Sequence, residues 1–199
     1  MHARVGFYHV KPGTLDASLA KARAELLPKM REQPGLRRYT VVTTGPDSFV
    51  SLSGWETREQ AEQAEQTLAG WVKENMGPSV VSMEGHIGEV RLMHGETAPD
   101  KTAKYATVRV STPKPGAPDM TEKIRTEFMP IWDRQPGFNS FTLAQMDDGR
   151  RIAFGGWDAK ANYERAQPEI NRWGEANVRP HISDVQVHQG EVAWTVRKA

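Results

Sequence analysis

The chain carries the same pattern twice, at a fixed offset of 102 positions. Pro28/Pro130, Gln33/Gln135, Gly35/Gly137, Gly54/Gly156, Trp55/Trp157, Trp71/Trp173, Asn75/Asn177, Pro78/Pro180, His86/His188 and Gly88/Gly190 all pair without a gap. Upstream, Lys11-Pro12-Gly13 matches Lys114-Pro115-Gly116 at an offset of 103, so the second copy lacks one residue in its first turn. Whatever one copy folds into, the other must fold into as well. Two copies of about 95 residues are too few and too long for a solenoid. The polar stretch HGETAPDKTAK, from His94 to Lys104, has the composition of a linker. The organisation read from this is a first domain at 1–95, a linker at 96–103 and a second domain at 104–199.

Each copy reads as strand, helix, strand, strand, helix, strand. Val5, Phe7 and His9 alternate along the first segment, and Ala106, Val108 and Val110 along its counterpart. Leu15, Leu19, Ala22, Leu26 and Met30 step at helical spacing. Pro28 and Pro130 each remove a backbone donor near that helix's end, which predicts a kink or a loosened last turn. In Gln-Pro-Gly the proline drives Gln33 out of the helical region and Gly35 takes the positive φ of a reversal, launching the second strand. The second helix is expected at 57–76 and 159–178, and the last strand at 84–93 and 186–196. This order is the ferredoxin-like split βαβ, an α+β fold with both helices on one face of the sheet. Apolar residues on the other face predict that the tandem domains pack sheet to sheet as an intramolecular α+β barrel.

Composition removes several function classes. Lys and Arg total 26 against 25 Asp and Glu, with no basic stripe, so neither nucleic acid nor a membrane surface is an expected partner. The start MHARVGFYHV lacks the features of a signal peptide, and no long apolar run occurs; a cytoplasmic location is expected. With no cysteine, disulfides, thiolate metal sites and cysteine nucleophiles are excluded. Phosphate loops and Gly-x-Ser-x-Gly are missing, as is His-Glu-x-x-His.

LLPKMREQPGLRRYTVV and FMPIWDRQPGFNSFTLA, each followed by a strand ending in SGW or GGW and a helix bearing a Trp, resemble the dimeric α+β barrel superfamily. Within it they resemble most the antibiotic biosynthesis monooxygenase (ABM) domain, in two tandem copies. The resemblance implies a small-molecule cleft between helices and sheet. Its members include cofactor-independent quinone-forming monooxygenases, haem-degrading enzymes and proteins without established chemistry. The function expected is therefore binding of an aromatic or quinone-like small molecule, with monooxygenation of it. The alternatives are a non-catalytic ligand-binding or stress-associated module and, behind it, a haem-binding or haem-degrading protein. Haem-degrading members combine Asn and Trp with a helical His, which neither second helix here contains, and no cofactor and no metal are expected.

Candidate site residues sit on the second helices. Ala61, Ala64, Leu68, Trp71 and Asn75 step by three and four, as do Tyr163, Ala166, Ile170, Trp173 and Asn177. An amide closing an apolar stripe needs a partner or costs about 1–3 kcal/mol. Asn75 and Asn177 either tie the helix end to nearby carbonyls or donate to a ligand oxygen. The resemblance implies that Trp71, Asn75, Trp173 and Asn177 match a Trp and an Asn that help bind the substrate and stabilise its oxyanion. His86 and His188 pair across the copies and are read as structural, as general bases or, last, as ligands to a metal or haem. EGHIGEV and QVHQGEV read as a strand with a glycine bulge. The replacement of Ala61 by Tyr163, with Pro168 in the same helix, predicts that a ring fills the second cleft and that the first copy holds the better pocket; alternatively, Tyr163 supplies a polar handle.

If the two sheets cover each other, separately expressed halves should associate or aggregate. Stable halves that ignore each other in sedimentation would contradict that packing. Further self-association through outer surfaces is allowed, and nothing in the sequence chooses a stoichiometry.

Overall fold

The structure, a computed structural model, describes residues 1–95 and 102–198, so the expected linker lies outside the described residues except at Thr102 and Ala103. The first copy contains β1 (His2–Val10), α1 (Leu15–Lys21), α2 (Leu27–Glu32), β2 (Leu36–Gly45), β3 (Ser48–Trp55), α3 (Arg58–Met76) and β4 (Val80–His94). The second contains β5 (Tyr105–Pro113), α4 (Thr121–Lys123), α5 (Met129–Asp133), β6 (Phe138–Met146), β7 (Arg151–Trp157), α6 (Lys160–Asn177) and β8 (Ile182–Arg197). The predicted β-α-β-β-α-β order appears twice, as an α+β, ferredoxin-like fold. Among the described residues, no helix is long and apolar enough to cross a membrane.

Two compact units form, residues 1–89 with 192–199 and residues 90–191. Their boundaries fall inside β4 and β8. In the first unit the strand order is β4-β1-β3-β2-β8 and in the second β8-β5-β7-β6-β4. The end of β8 is held in the first unit by a Thr40–Thr195 hydroxyl hydrogen bond of 2.6 Å. The amide of Lys198 also donates to the carbonyl of Arg37. Trp194 and Val196 join the core that Tyr39, Val41, Leu68 and Trp71 build between sheet and helices. The opposite faces are buried too, through Val5, Val42 and Val50 in the first unit and Ala106, Val108 and Ile152 in the second.

The loosened turn predicted from the prolines is a full π-helical turn. Ala22–Leu26 separates α1 from α2, and Ile124–Phe128 separates α4 from α5. In each copy the proline sits at the start of the following α-helical segment. There its missing N–H costs nothing, and the wider turn before it takes up the clash of the ring with the preceding carbonyl. The helix then ends as expected: Gln33 is extended at φ −61° and ψ 130°, and Gly35 and Gly137 take φ of 72° and 75°. Their carbonyls accept from the amides of Glu56 and Asp158 just ahead of the next helix. Thr57 and Gln60 form a reciprocal capping box at the start of α3.

One expectation is corrected. The glycines near His86 and His188 make no bulge: β1 pairs with β4 in unbroken register from His2↔Glu89 to His9↔Ser82. β5 pairs with β8 equally regularly from Tyr105↔Glu191 to Thr112↔Asp184. Gly85 serves closeness instead, because a Cβ there would collide with the carboxylate of Glu65.

At Gly35 and Gly137 the positive φ and the side chains packed against the α-carbon both exclude a Cβ. Gly35→Ala and Gly137→Ala are each expected to destabilise the fold by about 1–2 kcal/mol, measured by urea denaturation. Gly13→Ala, at an open turn, is expected to cost less because it meets only the backbone term.

Candidate functional site

In the first unit, the space between sheet and helices is filled by a charge. Arg4 points from β1 beneath α3 and is wholly buried. Its Nε pairs with a carboxylate oxygen of Glu65 on α3. Nη1 donates to Ser51 Oγ at 2.6 Å and Nη2 to the Tyr8 hydroxyl at 2.9 Å. Burial alone would disfavour the cation, but Tyr8 and Glu65 outweigh it and hold the guanidinium above its ordinary pKa. Burial, with Tyr8 alongside, raises Tyr39 well above the usual tyrosine range. Gly6 and Gly85 are register partners, and a Cβ on either would strike the guanidinium or the Glu65 carboxylate. The two glycines form the slot in which the ion pair lies. Tyr8 stacks on Phe49 at 4.4 Å and closes the remaining space.

The second unit solves the same packing problem differently. At the matching places in the strand register, Thr107 stands for Arg4, Arg109 for Gly6, Ser111 for Tyr8, Gly155 for Ser53 and Val187 for Gly85. On the helix, Gln167 stands for Glu65 at the 102-residue offset. Trp132 lies close against the sheet here, since a Cβ at Gly155 would come within 2.6 Å of its ring. With Thr107 and Ser111 in the places of Arg4 and Tyr8, a cavity of about 530 Å³ remains, within the range of small-molecule sites. Phe128, Trp132, Phe141, Tyr163 and Trp173 supply its aromatic lining. Arg109, Arg151 and Gln167 add polar groups. Phe128 and Trp173 stack at 4.3 Å and 16°. The expectation that the first copy holds the better pocket is corrected: this cavity belongs to the second. Tyr163 does pack, against Tyr105 and Trp157 at 5.6 and 5.8 Å, but its hydroxyl also accepts from Arg109 and Gln167 at 3.4 and 3.3 Å. The ring thus packs without filling the cleft, and the residue stays on the cavity wall.

The other sequence candidates are dispersed. Asn75 and Asn177 each donate through Nδ2 to the carbonyl four residues back, Trp71 at 3.0 Å and Trp173 at 2.9 Å. This is the helix-end tie, and Asn177 is not among the cavity-lining residues. Trp71 is buried in the first unit's core. His86 pairs with Glu84 at 2.7 Å on its own strand. His188 is half-buried, burial lowers its pKa, and the cavity is lined by its neighbours Val187 and Gln189 instead. No three His, Cys, Asp or Glu side chains gather to hold a metal among the described residues. Sequence reasoning missed Arg109, Arg151 and the Phe128–Trp132 pair. The 102-residue offset does set Phe128 against Leu26 and Trp132 against Met30, a gain of two rings in the second copy.

Residues 1–69 match the family model of antibiotic biosynthesis monooxygenases. No curated protein matches the sequence. Among solved structures, the chain is similar to an anthrone oxidase-like protein, at 14% identity and a TM-score of 0.71 over 98% of this chain and 92% of the other. It is also similar to a candidate monooxygenase of Fusobacterium nucleatum, at 11% identity and a TM-score of 0.74 over 100% and 94%. A candidate monooxygenase of Lactobacillus acidophilus follows at 8% identity, with a TM-score of 0.74 over 98% and 95%. At these identities the likeness is one of fold.

Glu65→Ala is expected to destabilise the protein by about 3 kcal/mol, because it leaves the Arg4 cation buried without its counter-charge. Chemical denaturation measures this, and Glu65→Ala with Arg4→Met should recover much of the loss. Asn75→Ala and Asn177→Ala are expected to cost about 1 kcal/mol each and leave ligand affinity unchanged. Weaker ligand binding at unaltered stability would restore the oxyanion role to Asn177.

Proposed function

We propose that the protein binds a planar aromatic small molecule in the cavity of its second unit, while the first unit is a closed structural copy. One contrast carries this reading. The same helix–sheet space is filled by Arg4, Tyr8 and Phe49 in one copy and left as an aromatic-lined cavity of about 530 Å³ in the other. Rings bury large area and stack with modest directional gain, so a lining of Phe128, Phe141 and Trp173 favours a flat, conjugated guest.

The finer reading is a cofactor-independent monooxygenase acting on that guest. Its support is the family match over residues 1–69 and the likeness in fold to monooxygenase-related structures. The reaction in keeping with it oxidises an activated ring methylene to a carbonyl. The carbon loses two hydrogens and gains one oxygen atom from O₂, and the second oxygen atom leaves with both hydrogens as water. The protein's part is to hold the ionised, electron-rich ring in a dry site where it meets O₂. Hydrogen-bond donors at the developing oxyanion would come from Arg109 and Gln167 in this unit. The non-catalytic alternative differs in one observable, binding without oxygen uptake.

Titration with anthrone, followed by tryptophan fluorescence and by an oxygen electrode, tests both levels. Trp173→Phe is expected to weaken binding by several-fold while Trp71→Phe leaves it unchanged. Equal losses in the two variants would refute the assignment to the second unit. Saturable binding with no oxygen consumed above the rate in buffer would leave a binding protein and remove the monooxygenase.

A further inference from the structure

We infer that the ligand of the second unit is an aromatic oxyanion, a carboxylate or an ionised phenol, seated on Arg109 and Arg151. The inference rests on the aromatic reading of the cavity and adds the charge of its guest. Arg109 and Arg151 both line the cavity. They stand on adjacent antiparallel strands, where Arg109 faces Ala153 and Ser111 faces Arg151. That makes them diagonal neighbours on one face of the sheet, within reach of a shared partner.

Their partners among the described residues are all uncharged. Arg109 donates to the Tyr163 hydroxyl and to Asn171 Oδ1. Arg151 donates to Gln145 Oε1 at 3.2 Å and to the Pro118 carbonyl at 3.1 Å. Two cations side by side repel, and neutral acceptors offset little of that. The first unit shows how this scaffold balances an arginine on the same face: Arg4 is matched by Glu65 on the helix above it. At the position of Glu65, the second unit carries Gln167. The counter-charge built into one copy is thus missing from the other where the cavity opens. An oxyanion on the guest would supply it, and guanidinium groups bind such groups through paired, geometrically matched hydrogen bonds. Of the described lining residues, Arg179 adds a third cation and Glu175 the one carboxylate, both on exposed positions at the end of α6 and beyond. The balance of the lining stays positive.

Calorimetric titration of the intact protein at neutral pH with naphthalene carboxylate and its neutral isostere naphthalene carboxamide separates charge from shape. The carboxylate is expected to bind at least about tenfold more tightly. Arg109→Gln with Arg151→Gln is expected to remove that preference while the carboxamide still binds. A third probe, dinitronaphtholate, is an ionised phenol at this pH, and the tighter of the two anions identifies the group preferred. Equal affinity for carboxylate and carboxamide in the unaltered protein would overturn the inference and leave the aromatic site standing. Binding of none of the three would overturn the site as well. Because the first comparison uses the unaltered protein, a double variant that fails to fold does not blunt the test.

Discussion

A guanidinium sealed from water sets the layout of the first unit. Burying a charge costs several kcal/mol unless every donor is met, and Arg4 is met by a carboxylate, a hydroxyl and a phenol from three different elements. Each partner imposes its own condition. Glu65 must approach the sheet, which requires glycine at 85; the guanidinium must lie flat, which requires glycine at 6. Tyr8 must turn inward to reach it, and its ring then stacks on Phe49. The second unit carries none of these conditions. Its sheet bears Arg109 and Val187 where the slot would be, and its helix layer is aromatic instead.

Duplication with divergence of this kind divides labour without changing the backbone plan. Both copies keep the reversal at Gln-Pro-Gly, the π turn ahead of the proline and the helix-end amide, which serve folding. The residues that differ are those facing the space between helix and sheet. A site can be opened in one copy by moving an arginine two positions along a strand, provided that large rings replace the support it gave. Trp132 against Gly155 and Phe128 against Trp173 provide that support.

The fold was legible because its signals are local and repeated: a positive-φ glycine after a proline, alternation along strands and a three-and-four stripe on each long helix. Proline predicted a disturbance but not its form, since a kink and a π turn satisfy the same missing donor. The candidate site was far less legible. Asn75 and Asn177 drew attention as polar residues on apolar stripes, yet a carbonyl one turn back satisfies each amide. The decisive comparison lies on the first strand, where the copies are out of step by one residue with the rest of the chain. Only in the strand register does Arg4 align with Thr107 and Tyr8 with Ser111. Tyr163 was expected to fill a cleft because added volume usually does. In the second copy Thr107 and Ser111 take the places of Arg4 and Tyr8, and a cavity remains beside the ring.

The bond between Thr40 and Thr195 joins positions 155 apart, and it has a bearing on how the chain comes to be folded at all. Closing so long a loop carries an entropic charge that local helices never meet. During synthesis the early strands wait with one edge uncovered while more than half of the chain emerges, a period in which a bare strand edge invites pairing with strangers. The N-terminal portion is made first and finished last. A chaperone that shields the β2 edge would therefore act on the oldest part of the nascent chain, and a ribosome stalled in β8 would release a protein whose damage lies near its beginning.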